Sequence, residues 1–194
     1  YAAETLALAY IELGKLDSAR ALVSIASTIA KEQSVDYLIC RSESHLGRVN
    51  MKEGNYNQAR LHFLNALKLS KDKYISDVRL PSLILLAGTY LNLNKEQMAL
   101  EHAQEAYQAS LTIKNKVWAM ESCAILATIY EKLNNNKEAI KNLQLASLFK
   151  DTILDQSVRG SILAKAYNIN LENEKRAKQK ALDGLEEKDK VLLR

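Results

Sequence analysis

The chain has 194 residues, enough for one well-packed domain or one compact repeat array. A hydrophobic content of 47% beside 26% charged residues excludes a disordered chain, and six glycines with one proline are too few for a strand-rich fold. The net charge of +4 is spread without a dense basic block, which argues against direct nucleic-acid binding, and no run reaches the roughly 18 apolar residues that cross a bilayer.

In chain order, the hydrophobic spacing predicts paired helices: 2–13 with 16–31, 36–53 with 56–71, 76–93 with 96–112, and 116–133 with 136–150. The pairs recur with a fixed period of 40 residues. Leu6, Leu46, Leu86 and Leu126 form one column, each followed by a small residue: Ala7, Gly47, Ala87 and Ala127. Tyr10, Asn50, Tyr90 and Tyr130 stand four residues after the leucines, then Gly14, Gly54, Asn94 and Asn134. Two alanine columns complete each unit: Ala19, Ala59, Ala99 and Ala139, then Ala26, Ala66, Ala106 and Ala146. A period of this size in unbroken register signals a solenoid of helical hairpins.

Each column has a physical reading. Glycine or asparagine tolerates the positive φ at which a helix ends, so that column closes the first helix of each hairpin. The small residues mark places where helices cross closely. The leucine and aromatic columns are expected to fill the space between hairpins, with Val23, Phe63 and Leu143 doing similar work on the second helices. Pro81 falls near the start of the third first helix: a start at Leu80 would place it harmlessly in the first turn, and an earlier start, which the helical pattern upstream in the other repeats favours, would kink the helix there.

The columns stop beyond Asp151. Ile153, Leu154, Val158, Ile162, Leu163, Ala166 and Tyr167 keep helical spacing and can cap the last hairpin. From Asn170 the composition turns to Glu, Lys, Arg, Asp and Gln. Leu171, Leu182, Leu185 and Leu192 form a narrow stripe interrupted by Lys178 and Asp189, which suits a weak coiled-coil seam or a solvated single helix. Two domains follow: 1–150 with four repeats (1–33, 34–73, 74–113, 114–150), and 151–194 as a capping helix running into a charged linker helix.

These columns resemble the tetratricopeptide repeat (TPR) family over about residues 1–150, in a long variant, since the usual period is about 34 residues. Six extra residues must lengthen the helices or their connections, and the proline often found at the end of a repeat is absent. The resemblance implies an all-α, right-handed α-α solenoid of four hairpins plus a long C-terminal helix. Long repeats followed by a charged helical tail look like the sensory regions of bacterial TPR-containing sensor histidine kinases and transcription regulators, and long repeats also occur in some motor light chains.

Constellations for catalysis are missing. The three histidines, His45, His62 and His102, have no metal-ligand spacing, and Cys40 and Cys123 read as small buried apolar residues. Glycine-rich phosphate loops and HExxH motifs are absent, so no enzyme activity, metal or cofactor is expected. The TPR resemblance instead implies a concave groove lined by the first helices. Its family offsets from the leucine column give Ser44, Arg48, Met51 and Lys52 in the second repeat, joined by Arg41 one turn earlier, with Leu8, Ile11 and Glu12 in the first. They give Ile84, Gly88, Leu91 and Asn92 in the third repeat, then Ala124, Thr128, Glu131 and Lys132 in the fourth.

Such a groove is cationic at one end and apolar in the middle. It would accept a peptide or protein segment, with a carboxylate pairing with Arg48 and an apolar side chain over Leu91. The Lys and Asn set with which TPR co-chaperones clamp a terminal carboxylate is not reproduced. Three contexts fit: the sensory region of a bacterial signalling protein, dimerised through its C-terminal helix; a free-standing adaptor or co-chaperone scaffold; or an accessory domain holding a catalytic partner. Tyr1 begins inside a helical pattern with no signal peptide in view, so the chain is expected to be a segment of a longer protein. A membrane anchor outside the segment would make the groove periplasmic; otherwise it is cytoplasmic.

Overall fold

The computed structural model describes residues 2–70 and 75–192, with side chains for most of the first 158 positions and few beyond. The packing expected of Ile162, Leu163, Ala166 and Tyr167, and the seam through Leu182, Leu185 and Leu192, lie outside the described residues. The described residues form eight α-helices and no strand: α1 (Ala2–Glu12), α2 (Leu16–Glu32), α3 (Asp36–Lys52), α4 (Tyr56–Ser70), α5 (Leu80–Asn92), α6 (Glu96–Thr112), α7 (Lys116–Lys132) and α8 (Asn136–Leu192). Residues 1–150 form one compact unit and 151–194 a second.

In the first three hairpins each first helix packs on its own second helix and on the next first helix. Thus α3 meets α1, α4 and α5, and α5 meets α6 and α7. The extra residues of the long repeat reside in the helices, because α2, α3, α6 and α7 each have 17 residues. The turns stay short: 13–15, 33–35, 53–55, 93–95, 113–115 and 133–135.

Those turns follow from the glycine and asparagine column. Gly14, Gly54, Asn94 and Asn134 have φ of 71°, 79°, 52° and 56°. At each, two backbone hydrogen bonds close the helix end in a Schellman arrangement, as where Gly14 N–H donates to the Ile11 carbonyl at 3.2 Å and Lys15 N–H to the Tyr10 carbonyl at 2.9 Å. Ser34 and Lys114 take the same left-handed conformation between hairpins, with φ of 54° each. Neither residue type signals it.

The kink expected at Pro81 takes another form. Ile75–Arg79 make a π-helical turn, and α5 then begins at Leu80 with Pro81 in its first turn. A first-turn proline lacks an N–H that would have had no intrahelical partner, so the position carries no penalty. The fourth second helix also departs from expectation: it does not stop near residue 150, and α8 is helical through Leu192.

The cores repeat the columns. Ala59, Phe63, Leu86, Ala87, Tyr90, Ala99, Ala103, Leu126 and Ile129 form one buried cluster. The leucine column is not uniform, however: Leu86 and Leu126 are buried, Leu46 is half-buried and Leu6 is 45% exposed. Leu143 departs further, at 57% exposed where its equivalents Val23, Phe63 and Ala103 are sealed. The cause is position in the array, since within 1–150 no earlier hairpin covers Leu6 and no later first helix covers Leu143.

His62 and His102 face their own hairpins. His62 Nδ1 lies 2.9 Å from a Glu43 carboxylate oxygen, and the His102 ring stacks on Tyr90 at 5.4 Å. Hydrogen bonding from His62 and Asn65 holds the Glu43 carboxyl below its usual range, with burial opposing them. Asn50, the one polar member of the tyrosine column, is buried but satisfied. It donates to the Leu46 carbonyl at 2.8 Å and accepts from Arg20 at 3.4 Å.

Gly47 stands in the small column where its equivalents are alanine, and the reason is Phe63. A Cβ at Gly47 would come within 2.6 Å of the Phe63 ring, which is fully buried and cannot retreat. The equivalent pair in the third repeat is Ala87 with Ala103, so a methyl on one helix is exchanged for a ring on the other. Gly47→Ala should therefore lower unfolding stability by about 1–3 kcal/mol in urea melts, and Phe63→Leu on that background should restore part of the loss.

Candidate functional site

Arg41, Ser44, His45 and Arg48 succeed one another at intervals of three and four residues and so share one face of α3. With Leu8 of α1, Tyr37 of α3, Pro81 of α5 and Trp118 of α7, this face encloses a cavity of about 500 Å³, closed by Asp77 and Asn115. All four first helices thus contribute to one concavity. Asn115 caps α7, its side chain accepting from the Val117 and Trp118 N–H groups at 3.1 and 3.2 Å. A second cavity of about 420 Å³ opens on the other side of Arg48, where Ile11, Met51, Tyr56 and Leu85 supply apolar walls and Glu12, Lys52 and Asn92 polar ones. Lys52 and Glu12 lie 4.0 Å apart at its edge.

Arg48 belongs to both cavities. It is half-buried, and among the described residues it makes neither hydrogen bond nor ion pair. Burial lowers its pKa, while the charges of Glu12 and Glu121 oppose that without closing a bridge. Glu121 on α7 is itself pushed up by burial. Arg41 donates to the Tyr37 hydroxyl at 3.2 Å and lies over its ring. Ser44 accepts from Ser82 at 3.0 Å in a buried contact between α3 and α5. His45 is buried with Nδ1 lacking a partner, and burial, then Arg48 and Arg41, drives its pKa down to about 3.

The structure gathers the residues expected from sequence only in part. Arg41, Ser44 and Arg48 line the larger cavity; Arg48, Met51, Lys52 and Asn92 line the smaller. Thr128 and Glu131 line a third, of about 280 Å³, beside Ile140 and Leu143 on the last hairpin. Ile84, Gly88, Leu91 and Lys132 line none of these three. Ile84 packs on Leu80 and Leu83, and Leu91 on the central cluster. Gly88 is buried, with Met51 Cε 3.4 Å from where its Cβ would stand. The apolar wall is therefore Ile11, Met51 and Leu85 in place of Leu91.

Tyr37, His45, Asp77, Pro81 and Trp118 fall outside the family offsets: Tyr37, Pro81 and Trp118 lie in the first turns of α3, α5 and α7, Asp77 in the π-helical turn before α5, and His45 one turn after Arg41 on α3. The period held a signal: Tyr37 and Asp77 are 40 residues apart, as are Arg41 and Pro81. Chemically the site offers cations, a hydroxyl and aromatic surface. The buried Cys40 and Cys123 thiols are pushed up, Cys123 to about 11. No group of three or more His, Cys, Asp or Glu side chains that could hold a metal gathers among the described residues, and none of their helices is long and apolar enough to cross a membrane.

Residues 121–148 match the tetratricopeptide repeat family. No curated protein matches the sequence. Among solved structures, BtubC (BKLC) from P. vanneervenii is similar, with a TM-score of 0.67 and 14% identity over 78% of this chain and 63% of that one. Nearly identical TPR-like repeats described as those of a kinesin light chain from Podosopora anserina are also similar, with a TM-score of 0.62 and 19% identity over 79% of this chain and 75% of that one. The chain thus spans less than two thirds of BtubC. At these identities the likeness is one of fold, and the fold is a TPR-type all-α solenoid.

The state of His45 ties stability to pH. In the folded chain the imidazole stays neutral down to about 3, whereas in the unfolded chain it protonates near 6.5. Its contribution is fully present above that value and is lost progressively as pH falls towards 3, with a slope approaching about 1.4 kcal/mol per pH unit. Between pH 7.5 and 5.0, above the range in which Glu43 titrates, Tm should fall in the native chain and fall less in His45→Gln.

Proposed function

We propose that this chain is a non-enzymatic protein-interaction module that holds a peptide or protein segment in its concave face. The observation that carries this reading is Arg48, a half-buried cation without a partner that stands between two open cavities formed by successive first helices. A buried charge of this kind is costly unless an opposite charge arrives to pair with it. An extended segment could place an acidic group on Arg48 and an apolar side chain against Ile11, Met51 and Leu85. The TPR-type fold supports the same reading.

The experiment is fluorescence anisotropy with a panel of labelled acidic peptides against the native chain and Arg48→Glu/Lys52→Glu. Affinity should fall at least tenfold in the double variant while helicity by circular dichroism stays unchanged, and Lys68→Glu on α4 should bind normally. Undiminished binding by the double variant would move the site off the concave face.

The wider context we infer is the sensory or regulatory region of a signalling protein of the bacterial histidine-kinase type, with the C-terminal helix as transmitter. What favours it is the helical course of α8 through Leu192 in a charged composition. An adaptor or co-chaperone would share the groove but have no use for such a helix. In analytical ultracentrifugation the sensor reading expects a dimer that becomes a monomer when the chain is cut after Tyr167. Two monomers at high concentration would leave the adaptor.

A further inference from the structure

The geometry points to a phosphoryl group as the anion taken by the larger cavity, carried on a side chain of a peptide that continues past Arg48 into the smaller cavity. The inference rests on the groove reading above and gives it a ligand chemistry.

Arg41 and Arg48 are seven residues apart, or two helical turns and about 10 Å, on the same face of α3. Arg41 is engaged with the Tyr37 hydroxyl and ring, and both guanidinium side chains are long enough to meet a group held between them above Ser44 once Arg41 turns towards it. A carboxylate carries one charge on two oxygens in one plane, which one bidentate fork neutralises, so a second cation and a hydroxyl have less to gain from it. A phosphoryl group has three terminal oxygens and a charge near −2, so it can engage both forks and still accept from a hydroxyl. Ser44 presents that hydroxyl: it accepts from Ser82, which leaves its own proton to donate.

The charge balance agrees. Among the described residues that line the cavity, Asp77 is the one carboxylate, and it is exposed. Glu12 and Glu121 act on Arg48 only through space. The cavity volume of about 500 Å³ exceeds what a bare carboxylate needs, and the Trp118 and Pro81 walls suit the carbon stem that brings a phosphoryl group in. Because Arg48 also lines the smaller cavity, flanking residues of a peptide have apolar surface to cover, which a free phosphate ion would leave empty.

Trp118 is the only tryptophan in the chain and lines this cavity, so its fluorescence reports occupancy without a label. The test titrates the whole chain with three degenerate peptide pools that differ only in a fixed central phosphoserine, glutamate or serine, and with inorganic phosphate alone. All titrations are run at about 0.15 M salt, where screening suppresses non-specific attraction. The phosphoserine pool should bind at least tenfold more tightly than the glutamate pool and than inorganic phosphate. Arg48→Gln should abolish that preference, and Arg41→Lys, which keeps the charge but loses the fork, should weaken it severalfold.

Equal binding of the phosphoserine and glutamate pools, lost together in Arg48→Gln, would overturn the phosphoryl assignment and leave the peptide groove standing. Inorganic phosphate binding as tightly as the phosphoserine pool would overturn the peptide source. No response to any pool would sink this inference, and the groove reading would then be judged by its own acidic-peptide panel.

Discussion

Each hairpin depends on its two helices packing closely over small side chains. The alanine columns at 19, 59, 99 and 139 and the small residues after the leucines create that approach, and the second repeat shows how tightly it is specified. There a ring on α4 fills the space that a methyl on α3 would occupy, so the glycine and the phenylalanine are one feature divided between two helices. Close crossing keeps the turns short, and short turns keep the first helices on one side of the array. The left-handed residues at 14, 54, 94 and 134 serve the same end, because they close each first helix within three residues of the start of its partner.

The long period adds to this plan. The early turns of the 17-residue α3 and α7 carry Tyr37, Arg41 and Trp118 onto the wall of the larger cavity, and the first turn of α5 carries Pro81 there. The π-helical turn before α5 belongs to the same region, and Asp77 within it reaches the cavity rim. A shorter repeat would have the offsets used by the family without this extension. The concave face thus owes its chemistry to the part of the repeat that departs from the usual length.

The polar groups fall into a paired set and an unpaired one. Glu43 with His62, Arg20 with Glu53, and Arg20 with Asn50 are all paired, and they tie helices within the array. Arg48 is half-buried without such a partner, and His45 is buried with an unpaired nitrogen on the same face of the same helix. Buried polar groups are ordinarily satisfied. The Ser42 and Ser122 hydroxyls and Arg60 Nε are also buried without a partner, and what sets Arg48 and His45 apart from them is that both line an open cavity.

The sequence by itself determined the helices, their pairing, the period and the turn residues, because each depends on local geometry: the spacing of apolar positions and the demand for a positive φ. It also placed Arg41, Ser44 and Arg48 on one face of one helix, since α-helical periodicity does that without help. Only the tertiary structure decided that Leu86 is sealed while Leu143 is exposed, because burial depends on whether another hairpin lies alongside. It also decided that Ile11, Met51 and Leu85 line one cavity with Arg48 and that Trp118 lines the other with it. Those are contacts between residues distant in the chain, fixed by how helices stack, and no local pattern encodes them.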